Sequence, residues 1–173
     1  MQLSLWLMSK LKSPERIRLR KKILEISGVR TTPAFQPHIT LISEIDGDPT
    51  LIGEKTAELA KWISPQLVRF NEIGTIENNY YRILFLRAIK TQKLVMAHTV
   101  AQAAFGIQEP EYMPHCSMAY GDLCPDDVGE LCADLVADEI PAVIFPVDGI
   151  QLWKTGGKVT EWIPLQWIPL TGA

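Results

Sequence analysis

Two short stretches decide how this sequence is interpreted: PHITLIS at residues 37–43 and PHCSMAYG at residues 114–121. In each stretch a histidine follows a proline, and a threonine or serine follows the histidine at the second position. Apolar residues predominate in the rest of both stretches, which predicts β-strands. The same arrangement of histidine and hydroxyl residue therefore occurs twice, with the two histidines 77 residues apart (115 minus 38).

Residues i and i+2 of a strand lie on the same face of a sheet. His38 and Thr40 therefore present an imidazole and a hydroxyl to one side, and His115 and Ser117 do the same. If the two strands face each other across a cleft, one imidazole can take a proton from water, the other can protonate a leaving oxygen, and the hydroxyls can donate to phosphate oxygens. Histidine suits both tasks because its ordinary pKa, about 6.5, lets both protonation states exist near neutral pH. The double pattern predicts a site that hydrolyses phosphodiesters.

The chain has 173 residues, of which 47% are hydrophobic and 21% are charged, as in ordinary globular proteins. This length favours a single domain, so we expect one two-lobed domain over residues 1–173. The formal net charge of −3 argues against a protein that coats long nucleic acids, because such proteins neutralise many phosphates with clustered lysine and arginine. An anionic ligand should therefore be small and held locally.

The compartment is inferred from segments that the sequence lacks. The longest stretch without a charged residue, 94–108, is too short and too polar to cross a bilayer core of roughly 30 Å. The apolar start, MQLSLWLM, has no basic segment before it and no small-residue cleavage site after it, so we do not interpret it as a signal peptide. The three cysteines are odd in number and do not suggest a secreted disulfide framework. We expect a cytoplasmic protein.

Hydrophobic periodicity and helix-start residues predict the element order βαβαββαβαββ. The predicted elements are a strand at 3–8, a helix from 13 to 28, a strand at 36–43, a helix from 48 to 63, strands at 66–74 and 80–88, a helix from 91 to 105, a strand at 113–120, a helix from 125 to 136, and strands near 142–153 and 159–168. Alternating helices and strands favour a sheet protein of the α+β or α/β class with helices on its outside. The two halves repeat the same elements, so we interpret them as two lobes.

The tandem PHITL and PHCSM resemble the two H-x-T/S signatures of the 2H phosphoesterase superfamily. Three further stretches resemble its plant and fungal cyclic phosphodiesterase branch: LWLM at 5–8, EYMPHCSMAYGDL at 111–123 and WKTGGKVTEWIPL at 153–165. The resemblance extends over essentially the whole chain. It implies an α+β fold of two pseudo-symmetric lobes, in which antiparallel sheets flank a central cleft and the helices lie outside.

The resemblance also implies an activity and the residues that carry it. Members of the branch convert 2′,3′-cyclic nucleotides to 2′-nucleotides, and ADP-ribose 1″,2″-cyclic phosphate, a by-product of tRNA splicing, to ADP-ribose 1″-phosphate. They use neither a metal nor another cofactor. By similarity, His38 and His115 would be catalytic, and Thr40 and Ser117 would bind the phosphate. The resemblance favours His115 as the base and His38 as the acid, whereas the pattern alone allows either order.

Aromatic residues line the cleft in this branch, and the corresponding residues here are Trp6, Tyr81 and Tyr120. Trp6 has independent support, because alternation places it on the face of the first strand opposite the leucines. Strict alternation from His115 points Tyr120 away from the cleft, unless the strand ends or bulges before it. Tyr80 and Tyr81 should point to opposite sides, and the branch pattern favours Tyr81. The alternative for all three candidates is ordinary packing.

Two other features carry weaker signals. His98 lies in a predicted helix without a His, Cys, Asp or Glu three or four residues away, so we interpret it as a packing or surface residue rather than a metal ligand. The segment 10–22 contains seven basic residues and one acidic residue. We interpret it as a solvated helix face rather than an RNA-binding surface.

Two other functions stay open at this point. The same four residues also serve RNA-end processing in other branches of the superfamily, as in 3′-end exonucleases and 2′-5′ RNA ligases or esterases, for which a long basic groove is expected. A non-catalytic nucleotide-binding module could use the same cleft, although the intact histidines and hydroxyls favour catalysis. We expect a metal-independent cyclic phosphodiesterase that is a monomer, binds a small cyclic-phosphate nucleotide, and has neither a membrane nor long nucleic acid as a partner.

Overall fold

The computed structural model describes residues 1–108 and 111–173, and these residues form eight β-strands and four α-helices. The strands are β1 (Gln2–Met8), β2 (Ile39–Asp46), β3 (Gln66–Gly74), β4 (Leu84–Ala88), β5 (His115–Ala119), β6 (Ile144–Val147), β7 (Gly149–Lys154) and β8 (Ile163–Pro169). The helices are α1 (Pro14–Arg30), α2 (Pro49–Ala60), α3 (Gln92–Phe105) and α4 (Pro125–Ala137), with 3₁₀ turns at Ile140–Ala142 and Val159–Glu161.

The strands form two antiparallel sheets of matching construction. One sheet has the order β2-β1-β7-β8, and the other has the order β5-β4-β3-β6. The strands that carry the two histidine motifs, β2 and β5, occupy corresponding edges and contact each other across the two sheets. The expected α+β fold with two pseudo-symmetric antiparallel lobes is therefore confirmed.

The two sheets also agree in register beside the histidines. Trp6 on β1 lies opposite Thr40 on β2, and Phe85 on β4 lies opposite Ser117 on β5. Paired residues of antiparallel strands point to the same face of a sheet. Each hydroxyl residue of the motifs therefore has a large aromatic neighbour on the adjacent strand.

The helices begin where their sequences predict and support both histidine strands. The side chains of Ser13, Asp48 and Thr91 accept backbone N–H groups at the starts of α1, α2 and α3. Helix α1 contacts β5 and β6, α2 contacts β7 and β8, and α3 contacts β2. Within the described residues, every helix is too short or too polar to cross a bilayer.

Strand β1 lies between β2 and β7 in its sheet, and both of its faces are buried. Its leucines lie in the main hydrophobic core with residues from both sheets. On the other face Trp6 and Met8 form a separate cluster with Trp153, and Trp162 and Trp167 pack against that cluster. The face of β1 opposite the leucines is therefore covered by an aromatic layer.

Two predicted strands have different limits in the structure. The strand predicted at 80–88 begins at Leu84, because residues 76–82 form a turn in which the first N–H donates to the last carbonyl at 3.0 Å. The strand predicted at 142–153 is two strands, β6 and β7, which pair with β3 and β1 in different sheets. Local periodicity does not reveal such a change of sheet, because the strand partners are distant in sequence.

The basic segment of α1 is partly buried, so the interpretation as a solvated helix face is wrong for Arg16 and Arg20, whereas Arg18 is exposed. Arg16 is 7% exposed, and its Nη1 donates to Ser9 O at 2.7 Å. Arg20 Nη1 donates to Phe35 O at 2.7 Å. These bonds tie α1 to the end of β1 and to the chain just before His38.

Candidate active site

A cleft of about 600 Å³ is lined by residues of both sheets. Both histidine motifs open onto it, since His38, Thr40, His115 and Ser117 are all lining residues. The other lining residues are Gln2, Ser4, Trp6, Ser43, Glu44, Asn79, Tyr81, Arg82, Glu111, Tyr112, Met113, Tyr120, Thr155 and Trp162. The structure therefore brings together all the site residues predicted from the sequence.

The two histidines are oriented in the same way by their own segments. His38 Nδ1 donates to Gln36 O at 2.6 Å, and His115 Nδ1 donates to Met113 O at 2.8 Å. A carbonyl oxygen only accepts hydrogen bonds, so in each neutral ring Nδ1 carries the proton and Nε2 has the lone pair. A proline lies between each histidine and its partner, and it has no N–H and holds the preceding residue in extended backbone. The shared Pro-His order is explained by this geometry.

Burial shifts both imidazoles towards the neutral form. It lowers the pKa of His38 to about 3, and the charges of His115 and Arg16 act in the same direction. Burial also lowers the pKa of His115, and the charges of Arg82 and Arg87 add to this effect. A bound phosphate opposes these shifts, because negative charge favours the imidazolium form. The protonation of the site is therefore coupled to ligand binding.

The two hydroxyl residues of the motifs lie in different hydrogen-bond surroundings. Ser117 is 4% exposed, and its Oγ donates to Tyr81 O at 3.0 Å. Thr40 is half-buried, and its backbone carbonyl accepts a hydrogen bond from the Tyr112 hydroxyl at 3.2 Å. Both residues are thus anchored by tyrosines that line the same cleft.

Trp6 packs directly on one of the histidines. The ring centroids of Trp6 and His38 are 3.5 Å apart, and the two planes differ by only 6°. Trp153 stacks with Trp6 at 4.4 Å. Only 2% of Trp6 is exposed, so protein groups cover most of its indole surface.

Tyr120 and Tyr81 reach the cleft by different routes. Strand β5 ends at Ala119, and this frees Tyr120 from the alternation that would point it away. The Tyr120 ring stacks on Phe35 with centroids 3.8 Å apart and is 4% exposed. Tyr81 lies in the turn before β4 and is 49% exposed. Of the three predicted aromatic residues, Tyr81 therefore presents the most free surface.

Two further residues line the cleft, Trp162 and Thr155. Sequence reasoning missed Trp162; it matches Thr155 to the Lys-Thr pair of the branch but does not include it among the predicted site residues. The ring centroid of Trp162 lies 6.1 Å from that of Tyr81, with the planes 21° apart. Thr155 Oγ1 and Ser4 Oγ share a hydrogen bond of 2.8 Å. Both residues belong to the stretch at 153–165 that resembles the cyclic phosphodiesterases, but they lie in a connection whose direction no periodicity predicts.

His98 does not line the cleft. It is 4% exposed, its Nδ1 donates to Leu41 O at 2.8 Å, and its ring stacks on Tyr112 with centroids 4.0 Å apart. This is the packing role that its surroundings in the sequence predict. Across residues 1–108 and 111–173, no three His, Cys, Asp or Glu side chains are grouped as a metal ion would require.

The fold and the two histidine motifs define the class of protein. Two antiparallel lobes each contribute one imidazole and one hydroxyl residue to a shared cleft, as expected of a phosphoesterase with two histidine motifs. A family model described as "2'-5' RNA ligase superfamily" matches residues 9–159. The chain therefore belongs to this superfamily, the 2H phosphoesterases, and membership in this group of phosphoesterases and ligases indicates an enzyme of that type.

Several solved structures share the fold over almost the whole chain. The protein TT0787 of Thermus thermophilus is 20% identical, with 99% of both chains covered and a TM-score of 0.60. LigT of E. coli in its apo form is 15% identical, with 98% of this chain and 97% of that chain covered and a TM-score of 0.62. Usb1 of Kluyveromyces marxianus is 12% identical, with 98% of both chains covered and a TM-score of 0.51. A search of curated proteins gave no match.

Proposed function

We propose that this protein is a metal-independent cyclic phosphodiesterase. Its substrates would be small cyclic phosphates: 2′,3′-cyclic nucleotides, opened to 2′-nucleotides, and ADP-ribose 1″,2″-cyclic phosphate, opened to ADP-ribose 1″-phosphate. The observation that carries the proposal is the pair of imidazoles in one cleft, each oriented by the carbonyl two residues before it. Such a pair supplies the base and the acid that hydrolysis needs. The resemblance of residues 111–123 and 153–165 to the plant and fungal enzymes supports the choice of substrate.

In the proposed reaction, one neutral imidazole takes a proton from water while the water oxygen bonds to phosphorus. The bond from phosphorus to the 3′ oxygen breaks, and the second, protonated imidazole gives its proton to that oxygen. One water molecule is consumed and a 2′-phosphate monoester is formed. Thr40 and Ser117 donate hydrogen bonds to the phosphate oxygens as negative charge grows on them. Ser117 exchanges its bond to Tyr81 O for one to the phosphate.

The resemblance and the burial of the rings favour opposite proton orders. The resemblance favours His115 as the base and His38 as the acid. The low pKa of His38, about 3, favours His38 as the neutral base and His115 as the protonated acid. In either order Trp6 holds His38 in place through the stacked contact, while Tyr81 and Tyr120 contact the nucleoside part of the substrate.

RNA-end processing by the same four residues is the second candidate, and the name of the superfamily favours it. The charge of the chain favours small substrates, because the formal net charge is −3 and a long RNA groove needs clustered cations. E. coli LigT has been solved in complexes with 3'-AMP and with ATP. By similarity to these complexes, we propose that the cleft of this chain also accepts single nucleotides.

The experiment that tests the proposal is hydrolysis of 2′,3′-cyclic AMP in excess EDTA, with 2′-AMP and 3′-AMP resolved by chromatography. We expect 2′-AMP, with kcat lower by about 100-fold or more in His38→Ala and His115→Ala. Thr40→Ala and Ser117→Ala each remove one hydrogen-bond donor, so we expect smaller losses of about 10- to 100-fold.

His98→Gln is the matched control, because His98 is as deeply buried as His38 but does not line the cleft. It should keep kcat within a few-fold of the unsubstituted protein. A loss in His98→Gln as large as that in His115→Ala, with the fold intact, would contradict the site. Turnover of oligonucleotides with cyclic-phosphate ends but not of 2′,3′-cyclic AMP would select RNA-end processing, and nucleotide binding without any turnover would select a binding module.

A further inference from the structure

The cleft is larger than the reacting part of the proposed substrate. Its volume of about 600 Å³ lies within the range of roughly 300 to 1,000 Å³ that is usual for pockets holding drug-sized ligands. A ribose with a cyclic phosphate is much smaller than this. The cleft therefore has room for a larger part of the ligand than the ribose and its cyclic phosphate, and the lining residues indicate the chemistry of that part.

Arg82 is the only lysine or arginine among the described residues that line the cleft. It is exposed, and in the described part of the chain its side chain makes no hydrogen bond or ion pair. Arg87, whose charge also acts on His115, is already paired with Glu72. A guanidinium presents several donors in a fixed plane and binds phosphate oxygens in pairs. Arg82 is therefore a cation available to an anionic ligand.

The backbone of Arg82 is held by a closed turn. Ile76 N donates to Arg82 O at 3.0 Å, and Arg82 N donates to Asn79 O at 3.1 Å. Arg82 N also lies 3.1 Å from Asn79 Oδ1, which accepts from the same N–H. These bonds connect both ends of residues 76–82. They fix the backbone position from which the Arg82 side chain extends.

The same turn is attached to the strand that carries the second histidine motif. Gly121 N donates to Tyr80 O at 3.0 Å, and Ser117 Oγ donates to Tyr81 O at 3.0 Å. The start of the Arg82 side chain is thus fixed relative to Ser117, one of the two proposed phosphate-binding residues. A ligand that contacts both residues would meet a hydroxyl and a guanidinium whose backbones are fixed relative to each other.

The other charged groups at the cleft are acidic. Glu111 is paired with Lys90 at 2.9 Å, whereas Glu44 is exposed on β2. The positive charge of Arg82 also acts on His115 and lowers its pKa, which places Arg82 within electrostatic range of the reacting phosphate. Attraction of an anion to this side of the cleft therefore depends on Arg82.

On the basis of the proposed function, we infer that Arg82 binds a second phosphate group of the substrate. The preferred substrates would then be nucleoside cyclic phosphates that carry a further phosphate, as a monoester or within a diphosphate, outside the cyclic ester. Plain 2′,3′-cyclic nucleotides would be poorer substrates, because they leave the guanidinium without its partner.

The test compares kcat/KM for three substrates. They are adenosine 2′,3′-cyclic phosphate, the same nucleotide with an added 5′-phosphate, and a dinucleotide that ends in a 2′,3′-cyclic phosphate. For the unsubstituted protein we expect the 5′-phosphate to raise kcat/KM about tenfold, as one charge-assisted interaction can. In Arg82→Gln the ratio of kcat/KM for the 5′-phosphorylated nucleotide to kcat/KM for the plain cyclic nucleotide should fall towards one. Arg82→Lys should retain part of this preference for the 5′-phosphate. Glu44→Gln is the matched control, because it removes the opposite charge from the same cleft and should not lower the ratio.

Three results would overturn the inference: a ratio near one in the unsubstituted protein, the same ratio in Arg82→Gln, or a dinucleotide that exceeds the 5′-phosphate in an Arg82-dependent way. The last result would assign Arg82 to RNA ends. If the protein hydrolyses none of the substrates, the proposed function fails, and calorimetry then decides about Arg82. Adenosine 2′,5′-bisphosphate should bind more tightly than 2′-AMP, and Arg82→Gln should remove the difference; equal affinities would reject the phosphate site.

Discussion

Each histidine of the cleft donates from Nδ1 to a carbonyl two residues earlier, which leaves the lone pair of the neutral ring on Nε2. The two histidines differ in the aromatic ring that packs against each of them. Trp6 lies flat on His38 at 3.5 Å, whereas Phe85 meets His115 edge-on at 5.1 Å. His38 is also the more deeply buried of the two. Two chemically identical side chains therefore have different surroundings, as separate acid and base roles require.

A substrate with a good leaving group distinguishes the acid from the base. The p-nitrophenolate released from bis(p-nitrophenyl) phosphate leaves without protonation, so loss of the general acid should matter much less for this substrate than for 2′,3′-cyclic AMP. Loss of the base should reduce turnover of both. We expect the smaller loss in His38→Ala for the order that the resemblance favours, and in His115→Ala for the order that burial favours. Equal losses for both substrates in both variants would contradict a division into acid and base.

The burial of His38 also predicts how stability depends on pH. In the unfolded chain its pKa is about 6.5, and in the folded protein it is lowered to about 3. Below pH 6.5 the unfolded chain therefore binds a proton that the folded protein does not. The free energy of unfolding should fall as the pH drops from about 6.5 towards 3, by at most about 1.4 kcal/mol per pH unit from this residue, with no contribution above that window.

Urea denaturation at pH 5 and pH 7 measures this effect. His38→Asn keeps a donor near the position of Nδ1 but does not titrate, so its stability should fall less between the two pH values than that of the unsubstituted protein. Identical changes in both proteins would show that the pKa of His38 is not depressed by folding.

At the scale of elements, helix α1 contributes to the site without lining the cleft. Arg16 donates to Ser9 O and, at 3.4 Å, to Gln36 Oε1, and Gln36 O is the acceptor for His38 Nδ1. We expect Arg16→Gln to lower kcat/KM about tenfold by loosening His38, since small displacements of catalytic groups are costly. Its removal should also raise the pKa of His38, because the charge of Arg16 opposes protonation.

Arg18→Gln is the control for Arg16→Gln, because Arg18 lies on the same helix but is exposed, and its Nη2 donates to Asp138 O. A pH–rate profile is the measurement. The limb that reports His38 should move to higher pH in Arg16→Gln and stay in place in Arg18→Gln. Unchanged limbs and rates in both variants would contradict a positioning role for α1.

Strand β3 supports the second histidine through a glycine. Gly74 lies opposite Phe85, and a Cβ added at Gly74 would collide with the ring of Phe85. Because Phe85 contacts His115, Gly74→Ala should displace both rings. We expect a loss of stability of about 1 to 3 kcal/mol and a lower kcat.

Gly28→Ala provides the matched comparison for Gly74→Ala. A Cβ at Gly28, inside α1, would meet no atom within 4 Å. This substitution should raise stability by about 0.5 to 1 kcal/mol and leave kcat unchanged. Thermal unfolding together with kcat tests both variants. Equal stability of Gly74→Ala and the unsubstituted protein would show that Phe85 can move without cost.

At the scale of the whole molecule, one chain contains every residue of the candidate site. Both histidine motifs belong to the same chain and line the same cleft. We therefore expect a monomer whose specific activity does not change with protein concentration. Light scattering coupled to gel filtration, with activity measured over a hundredfold dilution, tests this. A dimer that loses activity when it dissociates would contradict the expectation.

Much of the fold could be predicted because its signals are local. Capping residues and periodicity predict four helices close to their observed limits, and the spacing in each motif predicts that imidazole and hydroxyl share a face. The predictions that were wrong concern residues whose contacts in the fold are distant in sequence. The chain changes sheet near Asp148, because β6 pairs with β3 in one sheet and β7 pairs with β1 in the other. Arg16 is buried because the chain before His38 packs against α1, which no property of the helix itself reveals.

The sequence by itself determined the residue types that the chemistry needs, their spacing, and the order of helices and strands. Only the tertiary structure decided which groups meet: Trp6 stacks on His38, and Tyr120, Trp162 and Arg82 line the same cleft as the two histidines. The physical reason is the range of the interactions. Backbone geometry couples residues a few positions apart and is visible in any short stretch, whereas a cleft forms from contacts between strands that are far apart in the chain, and their pairing depends on burial of the whole core.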